Sequence, residues 1–159
     1  MPRQARPKAR PRPCPQPCEG FAEFSASLFV QLALKDEHKF LDFWNEQRDR
    51  ITQSRPATHD LKPYTVGPVT QGFRLSSGKT NAAYQFLVYP KGAYILHMLR
   101  QMMFDRANGG DKLFMAMMQD FIKSHYNQDV STEELRLAIR RYRSSQTWWK
   151  RIMPSGTWV

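Results

Sequence analysis

The chain has 159 residues, enough for one domain or part of one. Its composition, 41% hydrophobic and 13% aromatic, is typical of a globular protein and excludes a wholly disordered one. No run approaches the roughly 18 consecutive apolar residues that a membrane-spanning helix needs, and residues 1–18 lack the apolar segment of a secretory signal. We therefore expect no membrane span and no signal peptide, and the compartment stays open.

The net charge of +10 is carried by the two ends of the chain. Residues 1–18 and residues 140–159 each hold five basic residues and no acidic one, whereas residues 19–139 are neutral, with 14 of each sign. A folded nucleic-acid module is expected to carry a basic face on its ordered body. The distribution argues against specific nucleic-acid binding, although a helical binding module whose basic tails contact nucleic acid or an acidic surface remains an alternative.

The first half of the chain predicts a basic tail, two helices and a loop-rich stretch. Residues 1–18 form a Pro- and Arg-rich tract, which we expect to be disordered. Apolar residues at helical spacing then predict helices from Gly20 to Leu34 and from Asp36 to Ile51. Residues 52–88 are rich in Pro, Gly, Ser and Thr, with short strand-like pieces at Val69–Leu75 and Gln85–Val88.

Three more helices are predicted in the second half. Pro90 suits the first turn of a helix that runs to Phe104, because its missing N–H is not needed there. A helix from Asp111 to His125 follows, and a capping box at Ser131 begins a last one to about Tyr142. The expected fold is mainly α. The expected domains are a tail at 1–18, a helical body at 19–143 and an irregular tail at 144–159.

Motifs with an established chemistry are absent from the sequence. No H-E-x-x-H zinc motif, phosphate-binding loop or Gly-x-Ser-x-Gly elbow occurs. The pair Cys14 and Cys18 supplies at most two of the four ligands of a structural zinc site, and no matching pair follows. The four histidines are interpreted as structural or surface residues: His38, His59, His97 and His125. Composition and spacing alone support only a helical domain.

Two separated segments nevertheless resemble one family. The segment that begins Glu19-Gly20-Phe21-Ala22 looks like the E-G-F-A segment of the aminopeptidase N-like (membrane alanyl aminopeptidase) zinc metallopeptidases, which are gluzincins. The segment Tyr89-Pro90-Lys91-Gly92, about 70 residues later, resembles their Y-x-K-G segment. The order of the two segments, their separation and the helical pattern after them extend the resemblance over residues 19–139.

The resemblance implies a helical part of a thermolysin-like catalytic domain that hydrolyses peptide substrates with zinc. Glu19 maps to the third zinc ligand, and a carboxylate suits that role. Tyr89 maps to the tyrosine that donates a hydrogen bond to the tetrahedral intermediate, and a phenol keeps its proton at neutral pH. Lys91 and Gly92 are expected to serve the geometry of their motif. Glu19 as a complement to a helix N-terminus and Tyr89 as a core aromatic remain the simpler alternatives.

The missing H-E-x-x-H motif limits the expected activity. In the family eighteen residues separate its second histidine from the ligand glutamate, which would place that histidine immediately before Met1. One carboxylate does not hold catalytic zinc, since three protein ligands are usual. We therefore expect no bound cofactor and no peptidase activity from this chain alone, which would be a fragment of the parent domain. An interaction protein that retains a degenerate peptidase fold is a further alternative.

Overall fold

The computed structural model describes residues 17–80 and 82–143, and this part of the chain is mainly helical. No strand occurs in these two ranges, where the only β pairing is an isolated bridge between Asp105 and Gly110. Five α-helices form the body: α1 (Pro17–Phe29), α2 (Glu37–Thr52), α3 (Ala83–Met102), α4 (Lys112–Ser124) and α5 (Thr132–Arg143). A π-helical turn, Val30–Leu34, extends α1. The predicted mainly α fold is confirmed.

The larger apolar core joins α1, α2, α3 and α4. Phe24 of α1 is fully buried, and its ring meets that of Phe114 of α4 edge to face at 5.6 Å between centroids. Trp44 of α2 accepts a 2.6 Å hydrogen bond at its carbonyl from the hydroxyl of Tyr94 on α3. The buried members of this core are Phe24, Trp44, Ala93, Leu96, Met103, Phe114, Met117 and Met118. Three of them are methionines, whose flexible side chains fill irregular space in a core.

A smaller core lies under the first two turns of α3. Its buried members are Leu75, Ala83, Tyr84, Leu87 and Val88, and Ile51, Val66, Val69 and Tyr89 pack against it. The loop segment between α2 and α3 contributes through short 3-10 turns, at Pro56–Thr58, Pro63–Thr65 and Val69–Leu75. This second core packs the N-terminal end of α3 against the end of α2 and the loop segment that follows it.

Two predicted strand-like pieces and one predicted helix start are wrong. Val69–Leu75 forms 3-10 turns with a break at Gly72, and Gln85–Val88 lies inside α3. Helix α3 begins at Ala83, so Pro90 is an interior residue rather than a first-turn residue. An interior proline removes one helical hydrogen bond and costs about 3 kcal/mol, and Pro90 is fully buried at this interior position. The loop-rich region therefore ends before Ala83 and does not reach residue 88.

The other predicted boundaries agree with the structure within a few residues. The capping box at the start of α5 is confirmed: the Ser131 N–H donates to Glu134 Oε2 at 2.6 Å, and the Glu134 N–H donates to Ser131 Oγ at 3.2 Å. Helix α1 starts at Pro17, ahead of the expected Gly20. The expected tails are residues 1–18 and 144–159: residues 1–16 and 144–159 lie outside the described residues, and residues 17–18 belong to α1 rather than to a disordered tail. None of the described helices is long and apolar enough to cross a membrane.

Candidate functional site

The carboxylate of Glu19 meets the hydroxyl of Tyr84 where α1 and α3 begin. Glu19 is the third residue of α1, and Tyr84 is the second residue of α3. The Tyr84 hydroxyl donates a 2.6 Å hydrogen bond to Glu19 Oε1, which joins residues 65 positions apart in sequence. A hydrogen bond to an ionised acceptor of this length is among the stronger ones in proteins.

The surroundings of Tyr84 hold its ring in place and keep its hydroxyl protonated. The residue is 7% exposed, and its ring stacks on Phe73 with 4.3 Å between centroids and 12° between planes. Burial, followed by the hydrogen bond and the negative charge of Glu19, raises the pKa of Tyr84 above its ordinary value. A phenol that stays protonated is a permanent donor to the carboxylate.

The second oxygen of Glu19, Oε2, is buried. No hydrogen bond to Oε2 is found within the described residues, although the atom is excluded from solvent. An unpaired buried carboxylate oxygen is costly, since burial normally requires a hydrogen bond, an opposite charge or a metal. Glu19 alone supplies one carboxylate, which is fewer than the three protein ligands that catalytic zinc usually needs. The ranges 17–80 and 82–143 contain no group of three or more His, Cys, Asp or Glu side chains arranged to hold a metal ion.

Tyr89 lies next to Tyr84 rather than at the edge of a loop. It sits in the second turn of α3, which corrects the expected position at a loop-to-helix junction. Its ring meets that of Tyr84 edge to face, with 5.8 Å between centroids and 90° between planes. Tyr89 is half-buried and packs on the smaller core. The structure brings Glu19 and Tyr89, the two residues singled out in the sequence, together through Tyr84.

The glycines of the two motifs are in backbone contact. A Cβ atom added to Gly20 would lie 2.8 Å from Gly92 Cα, and one added to Gly92 would lie 2.8 Å from Gly20 Cα. Real Cβ atoms do not approach that closely, so only glycine at both positions allows α1 and α3 to cross here. Gly20 follows Glu19 directly, and Gly92 closes the segment that Tyr89 opens. The crossing therefore sets the separation of the two motifs.

Tyr84 is the residue of this site that the sequence analysis missed. Its helical signal is present, because Tyr84, Leu87, Val88 and Lys91 repeat at the spacing of one helix face. Treating Gln85–Val88 as a strand and Pro90 as a helix start concealed that signal. With α3 extended back to Ala83, a tyrosine one and a half turns before Tyr89 becomes a neighbour of the same site.

The four histidines lie away from Glu19 in the contacts that the structure shows. His97 is half-buried, with its ring 4.3 Å from that of Trp44 and 6.1 Å from that of Phe40. His125 caps α4: its Nδ1 lies 2.9 Å from the Phe121 carbonyl oxygen. His38 and His59 are exposed. These positions agree with structural or surface roles.

Comparison of the chain with protein-family models, with curated proteins and with solved structures gives no significant match.

Proposed function

We propose that residues 19–139 form part of the thermolysin-like catalytic domain of an aminopeptidase N-like zinc peptidase. The reaction is hydrolysis of a peptide bond, with Glu19 as a zinc ligand and Tyr89 as a hydrogen-bond donor to the reacting carbonyl. The observation that carries the proposal is the meeting of the two motif segments, about 70 residues apart in sequence, at the Gly20–Gly92 crossing. Two segments that form one site must lie close together in the fold, whereas two segments that match the family by chance need not.

Each residue has a chemically suitable environment for its proposed task. One oxygen of Glu19 is held by Tyr84, and the other is buried with no hydrogen-bond partner among the described residues. Zinc, when bound, acts as a Lewis acid and supplies an activated water at neutral pH. Tyr89 donates its hydroxyl proton in a hydrogen bond to the oxyanion that develops on the substrate carbonyl. Two histidine ligands and a general base are needed in addition, and the 159-residue sequence contains no H-E-x-x-H motif that would provide them.

A reconstituted protein tests the proposal. A segment that carries H-E-x-x-H and a spacer of the family length is joined before Glu19, and zinc content and hydrolysis of aminoacyl and peptide substrates are measured. We expect stoichiometric zinc and zinc-dependent hydrolysis. Glu19→Gln keeps the size of the side chain but removes the charge, so zinc affinity should fall steeply, and excess zinc should restore part of the activity.

Zinc that binds equally well in the Glu19→Gln protein would contradict the proposal. Salt-sensitive nucleic-acid binding by the original chain, lost when residues 1–18 and 144–159 are deleted, would favour the binding-module alternative instead.

A further inference from the structure

A cleft between α4 and α5 has an apolar floor. Its volume is about 490 Å³, within the roughly 300–1,000 Å³ that is typical of ligand pockets. The apolar side chains that line it are Met117, Phe121, Leu137 and Ala138. Leu137 is 41% exposed in this position. The cleft therefore has room for one further apolar side chain, which would cover Leu137.

The rim of the cleft is charged, but its charges balance. Lys123 and Glu134 lie where α4 ends and α5 begins, and Asp120 and Arg141 lie toward the other end of α5. The hydroxyl of Tyr142 donates a hydrogen bond to Asp120 Oδ2 and thereby engages this carboxylate. Two charges of each sign favour neither an anion nor a cation. The cleft therefore suits an uncharged group with a large apolar surface.

We propose that an indole of the adjacent pair Trp148–Trp149 binds in this cleft and attaches the segment 144–159 to α4 and α5. The segment lies outside the described residues, and its sequence holds three of the four tryptophans of the chain. It follows α5 at the rim of the cleft, since Arg141 and Tyr142 are lining residues. An indole fits the cleft because it is large and apolar and carries a single N–H donor, which a polar rim can accept.

The chain between the cleft and these indoles is long enough for binding. Trp148 lies six residues beyond Tyr142, and an extended chain reaches about 3.3–3.6 Å per residue, or about 20 Å here. The cleft follows α5 from Glu134 to Arg141, about 10 Å at a rise of about 1.5 Å per residue. The segment can therefore turn back and place an indole at any point of the floor. A short tether gives an effective concentration in the millimolar range, so weak contacts are sufficient.

The first measurement uses the unaltered 159-residue chain, so no variant has to fold. We expect nuclear Overhauser effects between the indole protons of Trp148 or Trp149 and the methyl groups of Leu137 and Ala138. Absence of these contacts in the folded chain, or contacts made by Trp158 instead, would overturn the inference. A sample that mixes isotope-labelled and unlabelled chains identifies contacts between molecules. Contacts found only between molecules would show that a second copy supplies the indole, which also overturns the inference.

The second measurement is the quenching of tryptophan fluorescence by acrylamide. Leu137→Glu places a charge on the floor, so the indole should leave the cleft and quenching should rise, whereas Trp44 is only 8% exposed and adds little. Leu61→Glu is the matched control, because Leu61 is 43% exposed in the loop segment before α3, and quenching should not change.

The difference between these two variants should disappear in a chain that also carries Trp148→Ser and Trp149→Ser. Equal quenching in the parent and in a Leu137→Glu protein of unchanged helical circular dichroism would contradict the binding of an indole in the cleft.

Discussion

Tyr89 occupies a half-buried place beside Tyr84 on α3, where its ring packs on the smaller core. The ring explains why tyrosine suits the position structurally, and only the hydroxyl carries the proposed chemistry. A substitution that separates ring from hydroxyl is therefore the decisive one at this residue.

In the proposed mechanism the Tyr89 hydroxyl meets the oxyanion only in the transition state, so Tyr89→Phe in the reconstituted protein should lower kcat by about 10²–10³-fold. Zinc content and the unfolding midpoint should stay close to those of the parent. Steady-state kinetics with a chromogenic aminoacyl substrate measure the effect. Unchanged kcat and kcat/KM would identify Tyr89 as a core aromatic and remove it from the proposed mechanism.

His97 gives a prediction that is independent of the proposed function. Burial, reinforced by the nearby positive charge of Arg100 and opposed by Asp111, lowers the pKa of His97 below its ordinary value. The folded chain therefore resists protonation more than the unfolded chain does. The stability contribution is complete above the unfolded pKa, about 6.5, and is lost as the pH falls from there through the folded pKa.

Urea denaturation between pH 5 and 8 should show the free energy of unfolding decreasing toward the acid end. His97→Gln should flatten this part of the profile, whereas His59→Gln, which changes an exposed residue, should not. A profile of equal slope in the His97→Gln protein would show that other groups produce the acid sensitivity.

At the scale of elements, the backbones of α1 and α3 are in contact where the two helices cross, at Gly20 and Gly92. Alanine is a better helix former than glycine by about 1 kcal/mol, so an open helix position would gain from the change. At this crossing the added Cβ has no room, because it would meet backbone rather than a movable side chain. Helix propensity favours alanine here, whereas packing favours glycine. A Cβ only 2.8 Å from the opposite backbone makes the packing cost the larger effect.

Gly92→Ala should lower the free energy of unfolding by about 1–3 kcal/mol, the usual cost of overpacking. Gly20→Ala should behave in the same way. Gly78→Ala is the matched control, since a Cβ there would have no heavy atom within 4 Å. Chemical denaturation followed by helical circular dichroism measures all three, and a neutral or stabilising Gly92→Ala would contradict the close crossing.

At the scale of the whole molecule, Arg100 ties together three parts of the chain that are distant in sequence. Its guanidinium binds Asp111, which immediately precedes α4, through Nε at 3.0 Å and also through Nη2, and its Nη1 binds Gln31 Oε1 at 2.5 Å. The Arg100 side chain is only 5% exposed. A buried ion pair contributes little in net terms, but removal of one partner leaves the other uncompensated.

Arg100→Ala should cost about 3–5 kcal/mol of stability, since Asp111 would lose its partner in a partly buried position. Arg136→Ala is the control: its pair with Glu133 is exposed on α5, and no measurable loss is expected. Urea midpoints at constant slope provide the comparison. Equal effects of the two substitutions would show that the Arg100 network does not hold the helices together.

Helix existence was predictable from the sequence because apolar residues repeat along five segments and because Ser131 and Glu134 mark the start of α5 by local chemistry. Glu19 and Tyr89 were also accessible as candidates, through two short segments of the chain. The start of α3 was not, since Pro90 by itself indicates a first-turn position, whereas the structure places it inside the helix. The contact between Tyr84 and Glu19 was not predictable either, because this hydrogen bond joins positions 65 residues apart. Local patterns indicate which segments are helical, whereas the packing of α1 on α3 decides which side chains lie together in one site.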